Sequence, residues 1–350
     1  MRNLYLGSEP WGPGLRMLRA SRPKRAKTGA RSRLFGASLH QAEELWRAAG
    51  AASPTVSPLL YFYGLSQAGR AICAASRRND WEPRSSHGLR VKFEAPSVDD
   101  EFDLDKVRIS LQGSGGLVRQ VAEPLGSPLI QAEVTLTEVL TSLPEKLLHA
   151  DQRGYPGVLE ASNLLGASAE WGIRVGPLPR SFEAARITVP AVPGNNLEYT
   201  KVVSPSSDYV KQWLGAYPQL ARLGDCRVGA VETGFGKDDE YFIRLYWDDL
   251  GANDEYSAQV RWFRELIDIE QSYDAGLILP ILGGSEGALD PIISWWLTLY
   301  SLSVLARYHP AAWAQALDVD RSPVAVPLEH ILETAKVSVP NLLFKALLEL

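Results

Sequence analysis

A chain of 350 residues, 45% of them hydrophobic, is long enough for one large domain or two ordinary ones and can bury a full core. Its formal net charge of −5 argues against a general nucleic-acid coat, and its two cysteines, Cys73 and Cys226, exclude a disulfide framework and a cysteine-rich zinc site. No run approaches the roughly 18 apolar residues of a membrane span and no apolar leader with a cleavage site is visible, so the expectation is a cytoplasmic protein without membrane contact.

Residues 1–33 read as a basic N-terminal arm, nine Lys or Arg against the single acid Glu9. Such an arm is expected to lie on the protein's own acidic surface or stay solvated, and between Lys237 and Asp274 eleven acids face four bases. Nucleic acid is a further partner for the arm, though not the favoured one. Leu34 to Ala52 predicts an amphipathic helix with Leu39, Ala42, Leu45, Trp46 and Ala49 on one stripe. The strongest signal follows, Ser57 to Arg78, with Ser57 as N-cap and Pro58 in the first turn. Tyr63, Gln67, Arg70 and Ala74 share one side of that helix, and its many small residues leave room for a close neighbour. A crowded Arg70 then needs a partner, either a carboxylate of the protein or an anionic ligand.

Past a polar loop containing His87, short β-rich runs predict an antiparallel insertion over 91–254. The runs are Val107–Leu111, Ile130–Leu136, Ile173–Val175, Arg186–Val192, Tyr199–Val203, Arg227–Thr233 and Tyr241–Trp247, with helices at Thr137–His149 and Asp208–Tyr217. The helical period returns with Glu255–Ser272, then a glycine-rich loop over Gly276–Leu289. Asp290-Pro291 opens a helix that carries Tyr300, Ser303 and Arg307 on one side and ends before Pro310, a pattern echoing the central helix, so the two are expected to pack together. A last helix or pair, Ala325–Lys336 and Pro340–Leu350, closes the bundle.

Several motifs read as structure. QGSGGLVRQVA has Val118 where the third glycine of GxGxxG belongs, and ETGFGKDD lacks the spacing and hydroxyl of a P-loop, so both predict turns. The acids Asp99, Asp100, Glu101, Asp103 and Asp105 lack the glycine and closing glutamate of a calcium loop. His40, His87, His149, His309 and His330 show no metal-ligand spacing, and no GxSxG marks a nucleophile. No cofactor or metal is expected.

PLLYFYGLSQAGRAICAA with a following HGL, then WWLTLYSLSVLARYHPAAW and VPNLLFKALLE, resemble in residues and order the YaaC-like protein family of bacteria. The resemblance covers most of the chain after residue 34 and brings no activity with it. A tyrosine-rich helix, small residues, a short polar loop and His-Gly are also similar to the helical HEPN superfamily, many of whose members cleave RNA with an Arg-x(4–6)-His pair. Here Arg33 and His40 are the one such pair, and one is expected by chance.

The sequence therefore predicts an α+β protein. A mainly helical domain, a HEPN-like bundle from 34–90 and 255–350, is interrupted by the β-rich antiparallel insertion. The leading expectation is a binding or regulatory protein whose ligand or protein partner meets Tyr63, Gln67, Arg70 and His87 facing Tyr300, Arg307 and His309. The alternative is a HEPN-like ribonuclease of stress or anti-phage defence, with His87 or His40 as acid/base.

Overall fold

The structure, a computed structural model, describes residues 2–3, 11–94, 101–113, 116–147, 155–164, 171–178, 186–188, 200–202, 212–222, 226–234, 237–247, 256–272 and 275–350. The chain is an α+β protein with two compact units, Leu6–Leu148 with Leu282–Leu350 and Met1–Tyr5 with His149–Ile281. No helix among the described residues is long and apolar enough to cross a membrane.

The helical unit begins with α1 (Trp11–Ala20), α2 (Gly29–Ala51) and α3 (Ser57–Ala75). Helix α2 starts at Gly29, ahead of the expected Leu34, because its polar first turns are held by contacts instead of an apolar stripe. Ser32 is buried there, and its backbone amide donates to the Thr28 carbonyl. The start of α3 also differs. Val56 is the N-cap without a side-chain bond, and Ser57 is a buried first helical residue before Pro58. The helix stops short of Arg78, where Ser76 turns extended and its hydroxyl donates to the Cys73 carbonyl at 2.8 Å.

The small residues of α3 are needed where neighbours come close. A Cβ on Gly64 would lie 2.8 Å from Trp46 of α2, and one on Gly69 would lie 2.6 Å from Trp296. Trp296 belongs to the expected partner helix, numbered α8 (Pro291–Tyr308), which Asp290 caps by accepting from the Ile292 amide at 2.9 Å. After α8, His309 is the joint to α9 (Pro310–Ala316). Of the helix or pair expected at the end, the structure has one helix, α10 (Ala325–Glu349), running through Pro340. Proline removes the donor that the Lys336 carbonyl would have used, and the Trp46 indole N–H supplies it from α2 at 3.2 Å.

Between α3 and α8 the same unit carries a three-stranded antiparallel sheet, β2 (Leu89–Phe93), β3 (Val107–Leu111) and β4 (Val134–Thr135). The Gly-rich segment read as a turn instead ends in a helix, α4 (Gly116–Ala122), whose Leu117, Val118 and Val121 are buried; Ser114 and Gly115 lie outside the described residues. The expected strand Ile130–Leu136 shrinks to β4 because Thr135 and Glu138 form a capping box that starts α5 (Leu136–Thr141). Helix α5 ends before Pro144, and residues 148–149 of the longer helix expected there are not described. Of the acids at 99–105, Asp99 and Asp100 are likewise outside; the Asp103 carboxylate accepts from the Asp105 amide at 3.1 Å.

The second unit is built on a seven-stranded sheet in the order β1 (Arg2–Asn3), β11 (Ile269–Ser272), β12 (Ala275–Ile278), β5 (Leu159–Asn163), β6 (Trp171–Gly176), β10 (Lys237–Trp247), β9 (Arg227–Gly234). All neighbours are antiparallel except β1 with β11. The two-sided strand expected at Tyr241–Trp247 is the end of β10, which turns Ile243, Leu245 and Trp247 into a core shared with Ile173, Val175, Phe263 and Tyr217. Short α6 (Pro218–Ala221) and α7 (Tyr256–Leu266) complete it. The helix expected through Ser272 thus stops at Leu266, and the loop expected from Gly276 contains β12, because Ile269 and Leu277 are buried partners on adjacent strands. A separate pair, β7 (Arg186–Thr188) with β8 (Thr200–Val202), covers part of two expected strands whose remaining residues are not described, as is part of the helix expected at Asp208–Tyr217.

Candidate functional site

On α3, Tyr63, Gln67 and Arg70 are half-buried and spaced to share one side. Helix α8 presents Tyr300 and, two turns on, the exposed Arg307. The two helices are joined here directly, since Arg307 Nη1 donates to the Tyr63 hydroxyl at 2.9 Å. Tyr300 donates to the Leu89 carbonyl at the start of β2 at 3.1 Å, which ties α8 to the strand that follows the His87 loop. The His87 ring lies edge-on to Phe62 of α3 at 4.9 Å and 5.8 Å from Tyr300, and Phe62 meets Tyr300 at 5.0 Å and Trp296 at 6.2 Å.

The loop that carries His87 is fixed by α4, which sequence reasoning missed when it took that segment for a turn. Gly116 has φ +46°, and an added Cβ would come 2.5 Å from the Ser86 carbonyl, so only glycine permits this approach. The Leu117 amide donates to that carbonyl at 2.8 Å and the Val118 amide to the His87 carbonyl at 3.2 Å. Buried Gln120 completes the clamp, donating to the carbonyls of Asp80 and Glu82 and accepting from the Arg84 amide at 2.8 Å. The signal available in the sequence was the helical spacing of Leu117, Val118 and Val121 around a lone glutamine.

Burial, then the positive fields of Arg307 and Arg70, push the His87 pKa below its ordinary value, so the ring is neutral at physiological pH. Its Nδ1 is buried without a hydrogen-bond partner, as is Nε of Arg70. Among the described residues Arg70 has no carboxylate partner, and the side chain of Gln67, between Tyr63 and Arg70, makes no hydrogen bond. Other arginines of this unit behave differently. Arg16, Arg19 and Arg47 converge on Glu43, 2% exposed on α2, each at 2.9 Å, and Arg78 pairs with Asp80 and Glu123. Arg16 and Arg19 of the basic segment thus find a single buried carboxylate.

The structure joins Tyr63 to Arg307 and groups His87 with Tyr300, with Arg70 and Arg307 near enough to act on the His87 ring. His309 stands edge-on to Phe93 at 5.0 Å, four residues along β2 from the carbonyl that holds Tyr300. Arg33 and His40 are both exposed on α2, two turns apart, which is about 10 Å along the axis. No group of His, Cys, Asp and Glu among the described residues is arranged to hold a metal ion.

Fold and site define an α+β protein with a helical unit in which arginine, histidine and tyrosine side chains meet between two central helices. The chain belongs to the YaaC-like protein family, whose family model matches residues 15–347. No curated protein and no solved structure matches it.

Proposed function

We propose that the protein is a binding or regulatory protein that holds a small anionic ligand between α3 and α8. The observation that carries this reading is Arg70, a half-buried guanidinium without a carboxylate partner among the described residues, set beside a neutral His87 with an unpartnered buried Nδ1. A buried charge is stable when it is matched, as three arginines do for buried Glu43. An anion supplied from solution would do the same for Arg70 and Arg307, with the Tyr63 hydroxyl orienting it. The convergence of His87 with two arginines also suits a ribonuclease, which needs a histidine and a cation at one phosphodiester.

Calorimetric titration with inorganic phosphate, a nucleoside monophosphate and a dicarboxylate tests the binding reading. Saturable binding of one class by the wild type, lost in a folded Arg70→Ala variant, is the expected result. Binding of none, or binding that Arg70→Ala leaves intact, would count against it. RNA cleavage abolished by His87→Ala would favour the ribonuclease.

A further inference from the structure

A second cationic region lies at the C-terminal end of α3, beyond Arg70 in the chain. Arg31, near the start of α2, donates to the carbonyls of Ala74 and Ser76 at 3.0 and 2.7 Å and to that of Arg78, and stacks over Trp81 at 4.8 Å. These bonds satisfy backbone acceptors left over where α3 stops and hold Arg31 in place. They also fix the surroundings. The bonds to residues 76 and 78 bracket Arg77, and burial, then the nearby positive charge of Arg25, lower the Arg31 pKa. Lys24 and Lys27 flank Arg25 in the chain.

Lys24, Arg25, Lys27 and Arg77 are all exposed, and among the described residues none has a carboxylate partner. The nearby acids Asp80 and Glu123 are taken up by Arg78, while Glu82 is exposed. We propose that this corner, Lys24, Arg25, Lys27 and Arg77 around the fixed Arg31, is a docking site for the phosphate backbone of nucleic acid. A phosphate backbone asks for clustered charge and nothing else, which is what the corner offers. Stable membrane anchoring takes an apolar element beside a basic patch and a protein interface takes an apolar core, and no large exposed hydrophobic residue lies between Met17 and Val56. The net charge of −5 would then turn the rest of the surface away from the polymer and leave this corner to meet it.

The test is fluorescence anisotropy with a labelled single-stranded RNA across a salt series, using the full chain and a variant with Lys24→Ala, Arg25→Ala, Lys27→Ala and Arg77→Ala. Because these side chains make no hydrogen bond among the described residues, the variant is expected to keep the wild-type melting temperature. The wild type should show a log–log salt slope of about −3 for four contacts to a single strand, and the variant should lose at least about tenfold in affinity with a slope near zero. Arg321→Ala, an exposed cation elsewhere, should change neither. Absence of binding at about 50 mM salt, binding that the variant keeps, or displacement of RNA by phosphatidylserine vesicles or polyglutamate at equal charge would overturn the proposal. Arg70→Ala binding RNA like the wild type separates this corner from the small-anion site.

Discussion

Arg70 and Glu43 make opposite demands on the same unit. Glu43 is buried under three arginines, so Glu43→Gln should destabilise by about 1–3 kcal/mol, moderated because Arg16 and Arg47 can turn to water. Arg70 has no such partner, so Arg70→Met should leave stability within about 0.5 kcal/mol of wild type or raise it. Chemical denaturation of both variants checks the contrast, and a loss of several kcal/mol in Arg70→Met would mark the residue as structural. His87 adds a pH signature. Its folded pKa is depressed, so the stability it contributes is present above the unfolded value of about 6.5 and lost as pH falls through the folded one. A bound anion favours the protonated ring, so affinity for sulfate, which does not titrate in this range, should rise as pH falls toward the depressed His87 pKa, with uptake of a proton. Titrations in buffers of different ionisation enthalpy read that proton directly. His87→Gln should abolish the uptake; uptake that persists in the variant belongs to another group.

At the scale of elements, Pro340 and Trp46 form a testable unit. Trp46→Phe strands the Lys336 carbonyl, while Pro340→Ala gives that carbonyl a donor of its own. A double-mutant cycle should therefore show that Pro340→Ala recovers about 1 kcal/mol more in the Trp46→Phe background than in the wild type. Equal effects in both backgrounds would mean that the indole contact is incidental. In the second unit Asp268 accepts from Gln219 Nε2 at 2.6 Å and from the Leu279 amide at 2.7 Å, yet burial outweighs both and raises its pKa to about 6. A raised carboxyl pKa stabilises the fold below the unfolded value near 4, and that contribution is lost as pH rises to about 6. Asp268→Asn, which can also offer an N–H to the unpartnered Gln219 Oε1, should raise the melting temperature above pH 6 and change little below pH 4. A variant less stable at neutral pH would show that the charge itself is needed. Much of this level was legible in the sequence. Asp290-Pro291 announced α8, the glycines of α3 announced a close neighbour, and the echo of Tyr63 and Arg70 in Tyr300 and Arg307 announced their meeting. Where reading failed, a distant partner decided the outcome. Gly116 reads as a turn until the 86–88 loop is laid against it, and at Pro340, where the sequence allows one helix or two, an indole from α2 replaces the missing donor and the helix continues.

For the whole molecule, charge is sorted by role. Several arginines of the helical unit are matched to Glu43, Asp80, Glu123 or helix-end carbonyls, whereas Arg70 and Arg307, and Arg25 and Arg77 near Arg31, have no carboxylate partner among the described residues. Thiol chemistry has little part in this. Burial raises the Cys73 pKa to about 12, so the folded protein should resist alkylation at that residue. Which of the candidate side chains on α3 and α8 share a face was within reach of the sequence because helical spacing fixes it; the lack of a carboxylate partner for Arg70 was not, since partners come from elements far along the chain. The measurement that bears most directly on the account is native mass spectrometry of the freshly purified protein, with the small molecules it releases identified, beside Arg70→Ala and Arg307→Ala variants shown to be folded. A small anion retained by the wild type and lost from both variants is the expected result. An empty wild type that binds no added phosphate, nucleotide or dicarboxylate, or folded variants that retain the anion as the wild type does, would contradict this reading.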